Sequence, residues 1–429
     1  MKYHAIDHEL FIQNRARLAE KLKPNAVVII HSNDVLPTNA DGTLPFKQNS
    51  NLFYLSGVDQ EETILIFAPD FPDEKMREIL FLRETNDDIA IWEGHKLTKD
   101  EGKRTSGIKN IKWKQQFEQV LHTILAESSH IYLASNEHIR SSSQVEGAND
   151  RFVKWCKEHF PLHEYERLAP VIYDLRTVKS EPEIKLLEHA CHITEKGFRR
   201  VLEATAPGVW EYELEGEYIH EFIVNRSRGF AYTPIIAGGA NACVLHYIDN
   251  NQQLKSGDLI LMDVGAEYAN YNADMTRTIP VSGRFSKRQR QIYDAVLRVK
   301  TLATEMLTPG NTIPEYHKAV GKVMEVELIE LGLIDKTDVK NQDKDWPAYK
   351  RYFMHGTSHH LGLDVHDVGS VYTKFKPGMV FTVEPGIYIK EEGIGIRLED
   401  NIVITENGHK NLMRNIPIHA DEIEDLMNR

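Results

Sequence analysis

The chain has 429 residues, enough for two domains with a core each. Its net charge of −13, from 51 basic and 64 acidic side chains, disfavours nucleic acid or an anionic membrane as a partner. Only three cysteines occur, Cys156, Cys191 and Cys243, the start shows no apolar leader, and no run approaches the roughly 18 apolar residues that span a membrane, so a soluble cytoplasmic protein is expected.

In chain order, residues 1 to 172 alternate short strands such as Ala26–Ile30 and Thr63–Phe67 with helical patterns, one of them over 149–159, which predicts a mixed α/β domain. The stretch Leu168–Asp174 predicts the boundary, giving domains at 1–172 and 173–429. Ser180-Glu-Pro-Glu183 reads as a capping box with proline in the first turn. Apolar residues Leu186, Leu187, Ala190, Ile193, Phe198, Val201 and Leu202 follow at helical spacing until Pro207-Gly208. A second helix is predicted over 211–227, then strands carrying His246, Asp263 and Asp274. Helices over 286–307 and 313–331 precede strands carrying Glu384 and Glu399, with a polar loop at Asn341–Trp346. The order helix, helix, strand hairpin thus occurs twice.

Four carboxylates lie in those strands. Asp263 sits in the apolar run Asp258-Leu-Ile-Leu-Met-Asp-Val264, and a hairpin centred near Tyr268 and Ala269 would oppose it to Asp274. Glu384 and Glu399 would oppose each other about Glu391-Glu392-Gly393. Opposed residues share a face with Cβ atoms about 5 Å apart, so like charges there repel unless a cation lies between them. Acidic residues in strands usually face water, but runs apolar at consecutive positions imply strands covered on both faces, where a carboxylate needs a partner. With His359 added, four negative charges and one imidazole suit two divalent cations such as Mn, Co, Fe or Zn, the donor set of a two-metal hydrolytic site.

The stretch His355-Gly-Thr-Ser-His-His-Leu-Gly-Leu-Asp-Val-His-Asp367 offers His355, His359 and His366 as site candidates, and His246 is a fourth. His360 is expected to point away from its neighbour His359, as a structural or outward-facing residue.

These motifs resemble the proline-specific metallopeptidases of the pita-bread fold, in particular the bacterial Xaa-Pro aminopeptidases (aminopeptidases P). The stretch His355–Asp367 fits the proline-peptidase signature throughout, and Asp41–Gly57 resembles the core of their N-terminal domain. The resemblance implies an α/β chain: a mixed N-terminal domain followed by a pita-bread catalytic domain with pseudo-twofold symmetry. It implies five metal ligands, Asp263, Asp274, His359, Glu384 and Glu399, none of them substituted. Two divalent metals are expected, Mn²⁺ by family habit, with Co²⁺, Zn²⁺ or Fe²⁺ as alternatives.

The same resemblance assigns roles. Asp274 and Glu399 look like bridging carboxylates, Asp263 like the chelator of one metal, and His359 with Glu384 like the ligands of the other. A metal-bridging hydroxide would attack the carbonyl, with Glu384 as the proton shuttle. His246 and His366 would hold the peptide and its oxyanion, His355 would line the proline pocket, and Arg397 and Tyr232 would support the carboxylates. Trp92 resembles an aromatic of the N-terminal domain that closes the substrate groove. The expected substrate is a peptide with proline in second position, and the expected assembly a homodimer or homotetramer. Three other readings share the fold: a prolidase, which cleaves Xaa-Pro dipeptides; a methionine aminopeptidase, for which the N-terminal domain is surplus; and an inactive pita-bread binding protein.

Overall fold

Runs that are apolar at every position build the centre of the first sheet. Ala26–His31 (β1), Ile64–Phe67 (β2), Glu78–Leu82 (β3), Asn110–Trp113 (β4), His130–Leu133 (β5) and Glu164–Arg167 (β6) lie in the order β4-β3-β2-β1-β5-β6. The computed structural model describes residues 2–429. β1 pairs antiparallel with β2 and parallel with β5. Val27, Ile29, Ile64 and Ile66 pack with Phe117, Leu121 and Ile124 of the helix Phe117–Glu127, and with Phe152 and Cys156 of the helix Ala148–His159. This mixed α/β unit comprises residues 3–176, and a second unit comprises residues 177–429.

In the second unit the predicted capping box forms: Glu183 Oε2 accepts from Ser180 N at 2.9 Å and from Ser180 Oγ at 2.7 Å. The helix it opens, Glu181–Ala204, buries Leu187, Ala190, Ile193, Phe198, Val201 and Leu202 along one face. Helices Glu211–Val224, Lys287–Glu305 and Ile313–Glu330 occupy the other helical stretches. Each helix pair precedes a long hairpin whose ladder is interrupted midway. The first runs Leu259–Asp263 (β8, flanked by β7 at Ile235–Gly238), Glu267–Tyr268 (β9), Tyr271–Asn272 (β10) and Thr276–Pro280 (β11). The second runs Val380–Val383 (β12), Gly386–Ile389 (β13), Ile394–Arg397 (β14) and Asp400–Thr405 (β15), with β16 at Gly408–Asn411 on its flank. Two three-stranded sheets with two-stranded tips result, which is the predicted doubled pattern. No helix of the described residues is long and apolar enough to cross a membrane.

The register of the second hairpin is as expected. Gly386 pairs with Arg397 and Val383 with Asp400, so Glu384 and Glu399 stand opposite each other in the gap between the two ladders. The first hairpin differs by one residue at its turn. Tyr268 pairs with Tyr271, and the turn is Ala269-Asn270 with φ of 52° and 67°, both in the left-handed region that a two-residue hairpin turn of the primed type requires. Asp263 therefore opposes Thr276, and Asp274 falls opposite Gly265. The two aspartates are diagonal neighbours on one face rather than a directly opposed pair. An alanine in the left-handed region is uncommon, so nothing marks Ala269-Asn270 as the turn, and centring the hairpin near Tyr268 and Ala269 sets the two aspartates directly opposite each other.

One buried charge cluster ties the hairpins together. Arg277, on β11, donates from Nη2 to Asp400 Oδ1 at 2.6 Å and from Nη1 to Glu399 O at 2.6 Å. Lys300 Nζ contacts Asp400 Oδ2, and Asn411 Nδ2 donates to the same oxygen at 2.8 Å. Burial alone would raise the Asp400 carboxyl, yet Lys300 and Arg277 hold it below the ordinary carboxylate range. Neutralising it leaves two buried cations without a counter-charge, and such a loss costs about 3–5 kcal/mol. Because the folded value is depressed, the contribution is present above the unfolded pKa of about 3.9 and lost as pH falls through the folded value. Chemical denaturation is expected to show Asp400→Asn destabilised by roughly that amount at pH 7, with the gap to wild type narrowing below about pH 4.

Candidate metal centre

The gaps in the two ladders are where the carboxylates converge. In the first hairpin, Val264 N donates to Met275 O at 2.9 Å and Ala273 N to Ala266 O at 3.0 Å, on either side of Gly265. A Cβ on Gly265 would lie 1.8 Å from Ala273 O, so only glycine lets the backbone come this close to the segment carrying Asp274. Tyr232 OH stands 2.6 Å from Asp263 Oδ1 and 2.6 Å from Asp274 Oδ1, holding the diagonal pair together. Burial, and then the two carboxylates, keep the Tyr232 proton in place, so its hydroxyl is a donor to them.

The second hairpin supplies Glu384 and Glu399, with Leu398 N donating to Pro385 O at 3.3 Å between them. Glu399 is fixed from across the hairpins: its N–H donates to Thr276 O at 3.0 Å, and Thr276 Oγ1 donates to Glu399 Oε2 at 2.6 Å. Asp274 is fixed likewise by Asn401, whose Oδ1 accepts from Asp274 N at 3.0 Å and whose Nδ2 donates to Asp274 O at 2.6 Å.

His359 completes the cluster. Its Nδ1 donates to His360 O at 2.9 Å, which turns Nε2 to Asp274 Oδ2, 3.4 Å away, and Glu384 Oε1, 3.5 Å away. Burial lowers this imidazole, but the bond to Asp274 and the charges of Glu384 and Asp274 raise it above its ordinary value. Nε2 therefore holds a proton more readily than a free imidazole, and a cation would displace it. Donor atoms of Asp274, His359 and Glu399 lie within 4.8 Å of one another. Electrostatically the cluster demands positive charge. Burial pushes the Asp263 carboxyl up against the pull of Arg397, pushes Glu384 to about 7, and lifts Glu399 well above the carboxylate range. Acidic oxygens crowded about one imidazole nitrogen fit divalent cations, which would take the place of those protons.

Around the cluster, Arg397 Nη2 donates to Asp263 Oδ2 at 2.6 Å, Nη1 to Tyr388 OH at 2.8 Å and Nε to Thr276 Oγ1 at 3.1 Å. His355 Nδ1 donates to Gly356 O at 2.8 Å, so its Nε2 accepts from Tyr388 OH at 2.8 Å. Burial and the Arg397 charge depress His355 to about 3, so the ring is neutral. His366 stands edge-on to His359 with ring centroids 4.4 Å apart, and is exposed. His246 is also exposed, and it lies in a turn after the short helix Gly239–Cys243 rather than on the predicted strand. His360 is buried against Phe381, with ring centroids 4.4 Å apart, so it is structural and not outward-facing. Trp92 belongs to the first unit, on the helix Asp87–Glu93, and is 88% exposed.

Two residues of the cluster were not singled out from sequence. Thr276 shares a face with Asp274, and Tyr388 shares one with Glu384, each through period-two spacing; extending the face of each carboxylate along its strand would have found both.

Two hairpins that crowd Asp274 and Glu399 about His359, with Asp263 and Glu384 beside them, carry the donor set of a metallopeptidase. Residues 185–406 match Metallopeptidase family M24, and residues 11–132 match Aminopeptidase P, N-terminal domain. The Xaa-Pro aminopeptidase of Haemophilus influenzae is 36% identical over 98% of this chain and 97% of its own. Among solved structures, E. coli aminopeptidase P with the inhibitor Pro-Leu superposes with a TM-score of 0.88 at 34% identity, covering 99% of both chains. A zinc-substituted form of the E. coli enzyme, in complex with product, superposes with the same score. The chain belongs to the Xaa-Pro aminopeptidases (aminopeptidases P) of metallopeptidase family M24. It is a metallo-aminopeptidase with the pita-bread fold, and it binds divalent metal.

Carboxyls held above their ordinary range must surrender protons when a cation binds. Metal affinity of the stripped protein is therefore expected to fall as pH drops through about 7, the value to which Glu384 is pushed. Titration calorimetry at several pH values, with protons counted from buffer ionisation heats, measures it; a pH-independent affinity contradicts the shifted carboxyls.

Proposed function

We propose that the chain hydrolyses the bond between the first residue and a following proline, at a dinuclear centre held by Asp263, Asp274, His359, Glu384 and Glu399. The observation that carries this reading is the clustering of Asp274, Glu384 and Glu399 about His359 Nε2, with Asp263 tied to Asp274 through the Tyr232 hydroxyl. It is supported by relatives named as Xaa-Pro aminopeptidases and by the Pro-Leu inhibitor bound to the E. coli enzyme. We assign Asp274 and Glu399 as bridging ligands, Asp263 to one metal, and His359 with Glu384 to the other. Mn²⁺ is proposed as the preferred ion, with Co²⁺, Fe²⁺ and Zn²⁺ able to substitute at an oxygen-rich site. When bound, the metals acidify water and polarise the scissile carbonyl.

The protein side chains do the remaining work. Glu384 accepts a proton from the attacking water on a carboxylate oxygen and passes it to the leaving proline nitrogen. His366 and His246 hold the peptide and donate to the developing oxyanion. His355 is kept neutral, with Nε2 bonded to Tyr388, so it presents an uncharged ring face to the proline side of the substrate. Arg397 aims Asp263 and Tyr232 holds Asp263 against Asp274, so both act through the ligands. Proline suits such a site because an Xaa-Pro amide has no N–H for a protease to grip, and attack on the carbonyl needs none.

We assign catalysis to residues 173–429, assign residues 1–172 as an aminopeptidase-P-type N-terminal domain, and assign Trp92 to substrate binding. A homodimer or homotetramer is the expected assembly, and the cytoplasm the expected compartment.

Elemental analysis is expected to find two divalent ions per chain, and strong chelators to abolish activity. Asp274→Asn or Glu399→Gln is expected to lose the dinuclear centre. His366→Ala should keep both metals while kcat falls roughly 10²–10³-fold. A metal-free His366→Ala, or one with wild-type turnover, overturns these roles.

Substrate length discriminates between the two metallopeptidases that share this ligand set. kcat/KM is expected to be higher on Ala-Pro-Ala than on Ala-Pro; the reverse order identifies a prolidase.

A further inference from the structure

A cavity of about 690 Å³ adjoins the metal centre on the side of His355. Its inner wall is the segment His355-Gly356-Thr357. Thr357 O accepts from Glu384 N at 2.8 Å, and His355 Nδ1 lies 3.7 Å from Glu384 Oε2. Pro347, Tyr349 and Phe353 give this space an apolar side. The volume falls in the range of ordinary ligand sites, which are roughly 300–1,000 Å³.

The charge lining it runs against the chain as a whole. Lys318, Lys322, Lys344 and Lys350 stand around the cavity, against Asp343 and Asp345, so four positive charges meet two negative ones in a chain of net charge −13. Two of the lysines are engaged. Lys322 pairs with Glu325 at 2.5 Å, and Lys350 lies 4.8 Å over the Trp346 ring. Lys318 and Lys344 have no hydrogen-bond or ion-pair partner among the described residues. Unpaired surface lysines are commonly just solvated. Here they border a concave, partly apolar space that shares a wall with the reacting groups, where a charge acts on whatever occupies the space.

We infer that this cavity is a carboxylate-accepting subsite for the part of the peptide beyond proline, with Lys318 and Lys344 as its specificity-determining residues. The inference rests on the aminopeptidase reading, in which His355 lines the proline pocket and the chain leaving proline passes it. A tripeptide carries its C-terminal carboxylate on the residue immediately after proline. The ammonium of a lysine on a flexible stem suits so variable a position better than a rigid fork would. Short peptides with a free C-terminus are thus the favoured substrate class.

Steady-state kinetics on Ala-Pro-Ala and its C-terminal amide test this, using the metal-loaded full chain. Wild type is expected to favour the free acid by about fivefold in kcat/KM, mainly through KM, as two solvent-screened charges would provide. Added salt should shrink the ratio. Lys318→Ala/Lys344→Ala should bring it towards one, and Lys318→Glu/Lys344→Glu should invert it. A wild-type ratio of one, or a preference that survives both double variants, overturns the subsite while leaving the aminopeptidase reading standing. Failure to cleave either peptide overturns that reading, and the subsite with it.

Discussion

Everything in the second unit answers to one constraint: several carboxylates are buried facing one another. Burial pushes Asp263, Glu384 and Glu399 towards their protonated forms, and a charged carboxylate out of water is costly unless something compensates it. The fold supplies part of the compensation through Arg397 on Asp263 and the Tyr232 hydroxyl on Asp263 and Asp274. Glu399 accepts from the Thr276 hydroxyl, and His359 turns Nε2 to Asp274 and Glu384. The remaining demand is for cations, which is the electrostatic reason a family of metal-dependent peptidases is built on this arrangement.

The hairpin ladders are interrupted where the carboxylates sit, and this follows from the same constraint. A continuous ladder would carry Asp274, Glu384 and Glu399 in a regular pleat, with their backbone groups spent on the partner strand of the same hairpin. In the gaps those groups are free to bond across to the other hairpin: Glu399 N to Thr276 O, and Asp274 to the amide of Asn401. Arg277, reaching from β11 to Asp400 and to the carbonyl of Glu399, extends that lacing into the core. Donors from two distant segments are thereby held in mutual register by neutral and ionic bonds that do not use the metal-facing oxygens alone.

Histidine tautomers follow from backbone contacts rather than from the metal cluster. His359 gives its Nδ1 proton to the neighbouring carbonyl of His360 and so presents Nε2 to the carboxylates. His355 gives its own to Gly356 O and takes a hydrogen bond from Tyr388. One stretch of chain therefore yields a ring poised to ligate and a ring poised to pack, and the difference lies in which carbonyl each Nδ1 meets.

Much of this was legible in the amino-acid sequence. Runs apolar at consecutive positions announced strands covered on both faces, the Ser180 box announced a helix, and acids set in such runs announced a buried demand for cations. Glu384 and Glu399 could be opposed because Gly393, at φ 63°, closes their hairpin where a glycine was read. Sequence did not locate the turn at Ala269-Asn270, because asparagine favours the left-handed region but alanine does not, and a shift of one position there moved Asp274 from opposite Asp263 to opposite Gly265. Nor could it place His246 in a turn, His360 under Phe381, or Thr276, Asn401 and Arg277 across the hairpins. Thr276, Asn401 and Arg277 are placed by contacts with segments more than a hundred residues away in the chain, and His360 by packing on the Phe381 ring of β12. Local pattern determines which residues are buried and which can ligate; only tertiary packing decides which of them meet.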